Sequence, residues 1–197
     1  MKGKKLAQLI GVLCLVSVVV LGVFLTLNLR EDSGASSENN TKNTEVQNIL
    51  SKNIDRNYPA TVREVVRLFS RVSKCYYNET LSNDEFNSLV EFQRKLFDDE
   101  FLQNNPLDTF TDNLAAEIDI AKAKEHKITM YSVQKQSSVV TWQDGENHFA
   151  SIIASYTMNT KSEGITRTYE EFLLREDENR RWKIVGWRLT DPIEIEE

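Results

Sequence analysis

Two histidines and one run of carboxylates are the side chains in this sequence best suited to chemistry. His126 and His148 carry the group that most often serves as a general base near neutral pH. His126 ends a lysine-rich helix terminus and His148 follows a predicted turn, so a solvated cap and a strand end are the simpler interpretations. Asp98, Asp99 and Glu100 attract cations, but three consecutive side chains on a helix do not easily converge on one ion. We therefore expect a solvated surface there.

Motifs for the common reaction types are absent from the sequence. It contains no glycine-rich phosphate loop, no His-x-x-x-His pair, no serine nucleophile elbow and no metal-ligand cluster. We therefore expect no enzymatic activity, no cofactor and no bound metal.

Four basic residues form a stripe along one predicted helix. Arg63, Arg67, Arg71 and Lys74 fall within about 80° of one another at 100° per residue, roughly opposite an apolar face. An ordinary solvated face is the simpler interpretation. The functional interpretation is a partner or membrane surface that meets anionic lipid headgroups, wall polymers or an acidic protein.

An apolar run near the N-terminus predicts the location of the protein. Leu6–Leu29 contains no charged residue, and as a helix it spans roughly 36 Å, enough for a hydrocarbon core of about 30 Å. Three lysines precede the run and one arginine follows it directly, which predicts a cytoplasmic N-terminus and an exported remainder. The lipid bilayer is therefore an expected partner. The run is too long for a typical cleaved signal, although Ser33-Gly34-Ala35 leaves cleavage open.

The chain after the run is acidic and has the size of one domain. It holds all 30 acidic residues and 21 of the 24 Lys and Arg, so its formal net charge is −9. That charge argues against a nucleic-acid partner. Cys14 lies within the apolar run and cannot pair with Cys75 inside one folded domain, so we expect no disulfide.

Five segments are expected along the chain. They are a cytoplasmic start at 1–5, a transmembrane helix at 6–29, a tether with a short docking segment at 30–56, an extracytoplasmic domain at 57–191 and an acidic tail at 192–197. The docking segment is predicted from apolar residues at helical spacing, Val46, Ile49, Leu50 and Ile54.

Three helices are expected to precede a set of strands. Pro59 suits the first position of one helix, Ser82 with Glu85 forms a capping box that starts a second helix to about residue 100, and Pro106 starts a third to about residue 124. The apolar period then becomes that of strands, which we expect at 128–136, 139–143, 148–159, 165–175 and 181–190. Helices followed by antiparallel strands indicate an α+β fold.

The final predicted strand has large side chains on both faces, which is typical of a central, covered strand. Its residues are Trp182, Ile184, Val185, Trp187 and Leu189. With this strand and the order of helices before sheet, residues 55–190 resemble the nuclear-transport-factor-2-like fold, in which a curved sheet wraps round helices to form a cone. The run Trp182–Gly186 is similar to the last strand of many members.

The resemblance implies two kinds of interior site. Enzymes of this fold resemble ketosteroid isomerase or polyketide cyclases, with an Asp or His base and a Tyr inside the cone. The matching residues here are His126, His148, Asp144, Tyr131 and Tyr156. A ligand-binding cone would instead be lined by Trp142, His148, Tyr156 and Trp182.

The whole layout also resembles uncharacterised single-span proteins of Gram-positive bacteria, most recognisably at residues 58–66, YPATVREVV. It is similar too to the periplasmic domain of type IV secretion inner-membrane assembly proteins, although no motif selects that family. These resemblances imply a non-enzymatic interaction or scaffold domain in an envelope or secretion-like assembly, with a protein partner or a second copy. A ligand-binding cone is the alternative, and a cyclase- or isomerase-like enzyme is the third hypothesis.

Overall fold

A computed structural model describes residues 44–161 and 164–195 of the chain. The helices within them are α1 Glu45–Leu50, α2 Val62–Asn78, α3 Asn83–Arg94, α4 Asp99–Asn104 and α5 Leu107–Ala123. The strands are β1 Lys127–Val133, β2 Val140–Asp144, β3 Asn147–Thr160, β4 Gly164–Glu176 and β5 Trp182–Leu189. The predicted α+β class, with helices before an antiparallel sheet, is confirmed.

The predicted transmembrane helix at 6–29 lies outside the described residues. Within residues 44–161 and 164–195, no helix has the length and apolar character needed to cross a membrane.

Side-chain caps fix where the helices begin. Thr61 and Glu64 form a reciprocal capping box at α2, so the helix begins at Val62 and the predicted start at Pro59 was wrong. The predicted capping box of Ser82 and Glu85 is confirmed at α3, and Pro106 precedes α5 as expected.

The second predicted helix is interrupted because residues after α3 pair with the sheet. Ile184 N–H donates to Leu96 O at 2.8 Å, and Asp98 N–H donates to Ile184 O at 2.9 Å. Phe97 therefore forms an isolated parallel bridge with Ile184, and the predicted continuous helix to about residue 100 was wrong. A new helix, α4, starts after it, with Asp98 as its N-cap.

The sheet is antiparallel, with strand order β1–β3–β4–β5, and β2 pairs with β3 on the same edge as β1. We call the inner face the one that carries the buried Ala150, Ile152 and Ala154 of β3; the other face is the outer face. Because β5 is last in this order, the prediction of a central strand was wrong. It is covered all the same, since residues 96–98 pair with its free edge at Ile184.

The helices pack on the inner face and fill it. Six aromatic rings form one cluster, with centroid separations between 4.5 and 6.4 Å; they are Phe69, Phe97, Phe101, Phe110, Phe172 and Trp187. The predicted docking segment belongs to the same core, because Val46, Ile49 and Ile54 are buried in it. The compact unit therefore begins at Glu45.

Candidate functional site

The four residues predicted to line a ligand cavity do not lie together. Tyr156 is buried on the inner face, with its hydroxyl 2.8 Å from Ser70 Oγ. Ser70 Oγ itself donates to Val66 O, so Tyr156 is the donor of that bond. The space around Tyr156 is thus occupied by the protein, and burial raises its pKa well above the ordinary value.

His148 and Trp182 flank a carboxylate at the end of the inner face. Glu176 lies opposite Trp182 in the β4–β5 register, and its Oε2 is 2.9 Å from His148 Nδ1. This histidine is exposed. The indole of Trp182 is half-buried, and its backbone carbonyl accepts a hydrogen bond from the Tyr58 hydroxyl at 2.8 Å.

Trp142 lies on the outer face. It is opposite Phe149 in the β2–β3 register, and the two rings stack at 5.7 Å with an interplanar angle of 15°. Successive side chains of a strand alternate between faces, so Trp142 and His148 point to opposite sides of the sheet. A single site containing all four predicted residues is not formed.

Three of the four side chains of the basic stripe bond to other parts of the fold. Arg63 Nε donates to Gln134 O at 3.0 Å, and Lys74 Nζ donates to Thr129 O at 3.2 Å. Arg71 pairs with Glu45 at the start of α1. Arg67 is exposed. Side chains of α2 therefore bond to carbonyls of β1 and of Gln134, which follows it, and Arg71 holds α1 against α2.

The remaining sequence candidates have structural surroundings. Tyr131 is half-buried, and that burial raises its pKa. Asp144 is exposed at the β2–β3 turn. The backbone N–H of His126 donates a hydrogen bond to Ala121 O at 2.8 Å. Asp98 caps α4 and pairs with Arg175, whose Nη1 is also 3.5 Å from Glu100 Oε2. Across the described residues, no group of three His, Cys, Asp or Glu is arranged to hold a metal ion.

One inner-face carboxylate was missed by sequence reasoning. Glu170 lies opposite Ala154 and Leu189 in its two registers. Burial, followed by the nearby charge of Glu117 on α5, raises its pKa from 4.5 to about 7. Tyr77 of α2 donates its hydroxyl to Glu117 Oε1 at 2.5 Å. The alternation of the strand could have revealed this carboxylate, because Glu170 is an even number of residues from the buried Phe172 and Leu174 and therefore lies on the same face.

Two surface clefts are formed by described residues. One lies between α3 and α5, has a volume of about 380 Å³ and is lined partly by Glu91, Asp108 and Asp112. The other, of about 320 Å³, is lined partly by Arg71 and Tyr131. Tyr156 and Glu170 line neither cleft.

The outer face has an apolar patch beside an open strand edge. Val140 and Trp142 are 60% and 40% exposed, and the half-buried Phe149 and Leu173 lie in the adjoining strands. We call these four residues the outer patch. All five residues of β2 are exposed, and β3 is its one partner strand within the described chain.

Comparison with known proteins identifies a family. The model of the domain of unknown function DUF6715 matches residues 1–187. The chain belongs to the DUF6715 family. No curated protein matches it.

The DUF6715 match runs from the N-terminal apolar residues through the folded unit to Trp187. The apolar run and most of the folded unit therefore both lie within the part of the chain that matches the family. In this DUF6715 chain the described residues offer a packed interior that holds the half-buried Glu170, and an outer face beside a strand, β2, with one described partner strand. The second feature suits binding of another polypeptide, because backbone N–H and C=O groups at a free edge can extend the sheet.

Proposed function

We propose that this protein is a non-enzymatic, membrane-anchored interaction or scaffold domain in an envelope or secretion-like assembly. Leu6–Leu29 holds it in the bilayer as a single span, with the N-terminus cytoplasmic and the folded unit extracytoplasmic. The α+β unit is a nuclear-transport-factor-2-like cone, related to the single-span proteins of Gram-positive bacteria. The apolar, uncharged run and the lysines that precede it support the anchor and its orientation.

The filled interior supports a role other than catalysis. The aromatic cluster and the Tyr156–Ser70 hydrogen bond occupy the space between helices and sheet, whereas a small-molecule site needs a concave, accessible pocket.

The free edge of β2 beside the outer patch is the observation that carries the proposal. Two other strand edges are covered, since side chains of α2 bond to carbonyls of β1 and residues 96–98 pair with β5. Proteins usually protect free edges in such ways. An edge that no described residue pairs with, next to an exposed tryptophan, is therefore suited to a protein partner.

Site-specific photo-crosslinking in intact cells tests this function. A photoreactive residue at Val140 should give an adduct of defined mass, and the Trp142→Glu change should abolish it. The matched control is the same residue at Asn87, exposed on α3. Equal adducts at both positions, or none at Val140, would contradict an interaction role for this edge.

A small-ligand-binding cone is the second candidate, and Glu170 is the observation that favours it. A half-buried carboxyl group facing Tyr77 and Tyr156 can donate a hydrogen bond to a polar ligand when it is protonated. An apolar fluorescent probe tests this function. Binding to the wild type at pH 6, with an affinity at least fivefold lower for Glu170→Ala, would support it. The same set of residues is the best support for the third hypothesis, an isomerase- or cyclase-like enzyme.

A further inference from the structure

We propose that β2 pairs with β2 of a second copy of this chain, so that two sheets join edge to edge through an antiparallel strand pair. The inference rests on the proposed function and names the partner of the edge described there. It concerns Val140–Asp144 and the residues at the two ends of that strand.

The strand has the properties of one that accepts a neighbour. Its pairing with β3 runs from Val140↔Ser151 to Asp144↔Asn147 without a bulge. The sequence Val-Thr-Trp-Gln-Asp contains neither lysine nor proline, which are the residues that commonly block edge-to-edge pairing. A regular edge that no other described strand pairs with, and that carries β-branched and aromatic side chains, is suited to strand addition.

Antiparallel pairing makes this strand complementary to itself. A twofold axis perpendicular to the sheet keeps the outer faces of both copies on one side. Trp142 is the middle residue of β2, so the two tryptophans lie near the axis, each stacked on its own Phe149. The two outer patches then become one continuous apolar surface.

The charges at the hairpin end of β2 favour the same arrangement. Asp144 and Glu146 lie at that end, and both are exposed. Parallel pairing would bring these carboxylates of the two copies together, whereas antiparallel pairing places them at opposite ends of the strand pair. The charges therefore favour the antiparallel sense.

The membrane supplies the concentration that a short strand pair needs. Five residues form a small interface, which is weak between freely diffusing molecules. Confinement of both copies in one bilayer by Leu6–Leu29 raises their effective concentration. The test therefore uses the full chain in lipid vesicles.

Cysteine crosslinking measures the pairing. In a Cys14→Ser background, single cysteines at positions 140–143 are treated with a short bis-maleimide in vesicles at a low protein-to-lipid ratio. Cys75 is buried, which raises its pKa to about 11 and leaves it unreactive. We expect at least one position in β2 to give ten times more dimer than the control Asn87→Cys. Dimer yields equal to that control at all four positions would overturn the inference.

Mixed vesicles test the antiparallel sense. Antiparallel pairing centred on Trp142 places position 140 of one copy opposite position 144 of the other. Chains with a single cysteine at 140 and chains with one at 144 should therefore give at least three times more mixed dimer together than either gives alone. More dimer from either variant alone than from the mixture would contradict the arrangement. Vesicle flotation separates the two proposals: a chain that floats without dimerising overturns this inference alone, and a chain that fails to float overturns the anchored function as well.

Discussion

Replacing Glu170 by glutamine should remove a pH dependence of stability that the fold imposes. In the folded protein this carboxyl group keeps its proton up to a pKa of about 7, against an ordinary value of 4.5. Between these two values the folded state holds a proton that the unfolded state has lost. The free energy of unfolding must therefore fall as pH rises from about 4.5 to 7.

The size of the effect follows from that difference. It corresponds to at most about 3.4 kcal/mol of unfolding free energy. Because the side chain is only half-buried, water screens part of the penalty, and we expect about 1–2 kcal/mol. Glutamine is nearly isosteric and stays neutral, so the stability difference between Glu170→Gln and the wild type should be smallest at pH 5 and should grow in favour of Glu170→Gln by that amount at pH 8.

Urea unfolding of residues 44–197, followed by tryptophan fluorescence at half-unit steps from pH 5 to 8, measures the difference. Glu171→Gln is the matched control, because it removes the same charge from the opposite face of β4, where Arg188 pairs with it. Glu117→Gln should move the fall in stability to lower pH, since it removes a charge that raises the pKa of Glu170. Curves for wild type and Glu170→Gln that stay parallel across this range would refute the reasoning. The pKa of Glu45 is lowered chiefly by its hydrogen bond to Arg71. Its contribution to the free energy of unfolding is therefore lost only at a pH below the range from 5 to 8.

Two further substitutions test the packing that positions these residues. Asp98→Ala should lower the free energy of unfolding in urea by about 3 kcal/mol, because it removes the cap of α4 and leaves Arg175 without its buried partner. The control is Asp99→Ala, at an exposed position. Equal losses in both variants would contradict this role of Asp98. Tyr156→Phe removes a hydrogen bond to Ser70 and should cost about 1 kcal/mol, seen as a Tm lower by roughly 3–5 °C, whereas an unchanged Tm would show that the buried bond adds nothing.

The features that depend on local sequence were predictable. The capping box at Ser82 and the predicted turn before His148, which Asp144 and Gly145 form, involve residues adjacent in the chain, and both lie where expected. The alternation that places Ala150 and Ile152 on one face likewise needs no long-range contact. The break after Arg94 was not predictable in this way, because it results from pairing with Ile184, which is 90 residues away along the chain.

The site residues were harder to predict because one pattern can have two causes. A strand with large side chains on both faces suggested a central position for β5, but a paired segment at residues 96–98 covers its edge equally well. Glu170 and Glu171 are adjacent and identical in type, so only the phase of the strand separates the carboxylate on the inner face from the one on the outer face.

The basic stripe of α2 shows why the interaction surface has to be sought elsewhere. Helical periodicity separates apolar from polar faces, but it cannot distinguish a face that meets water from one that meets an open strand edge. Both are polar, and arginine and lysine are long enough to reach carbonyls across the gap, as Arg63 and Lys74 do at β1. Because those cations already bond within the fold, backbone groups that could bind a partner are expected at the edge that no described helix covers. That edge belongs to β2. The basic stripe of α2 was predicted to be the binding surface, but its side chains bond to β1, and binding is therefore expected at the next strand, β2.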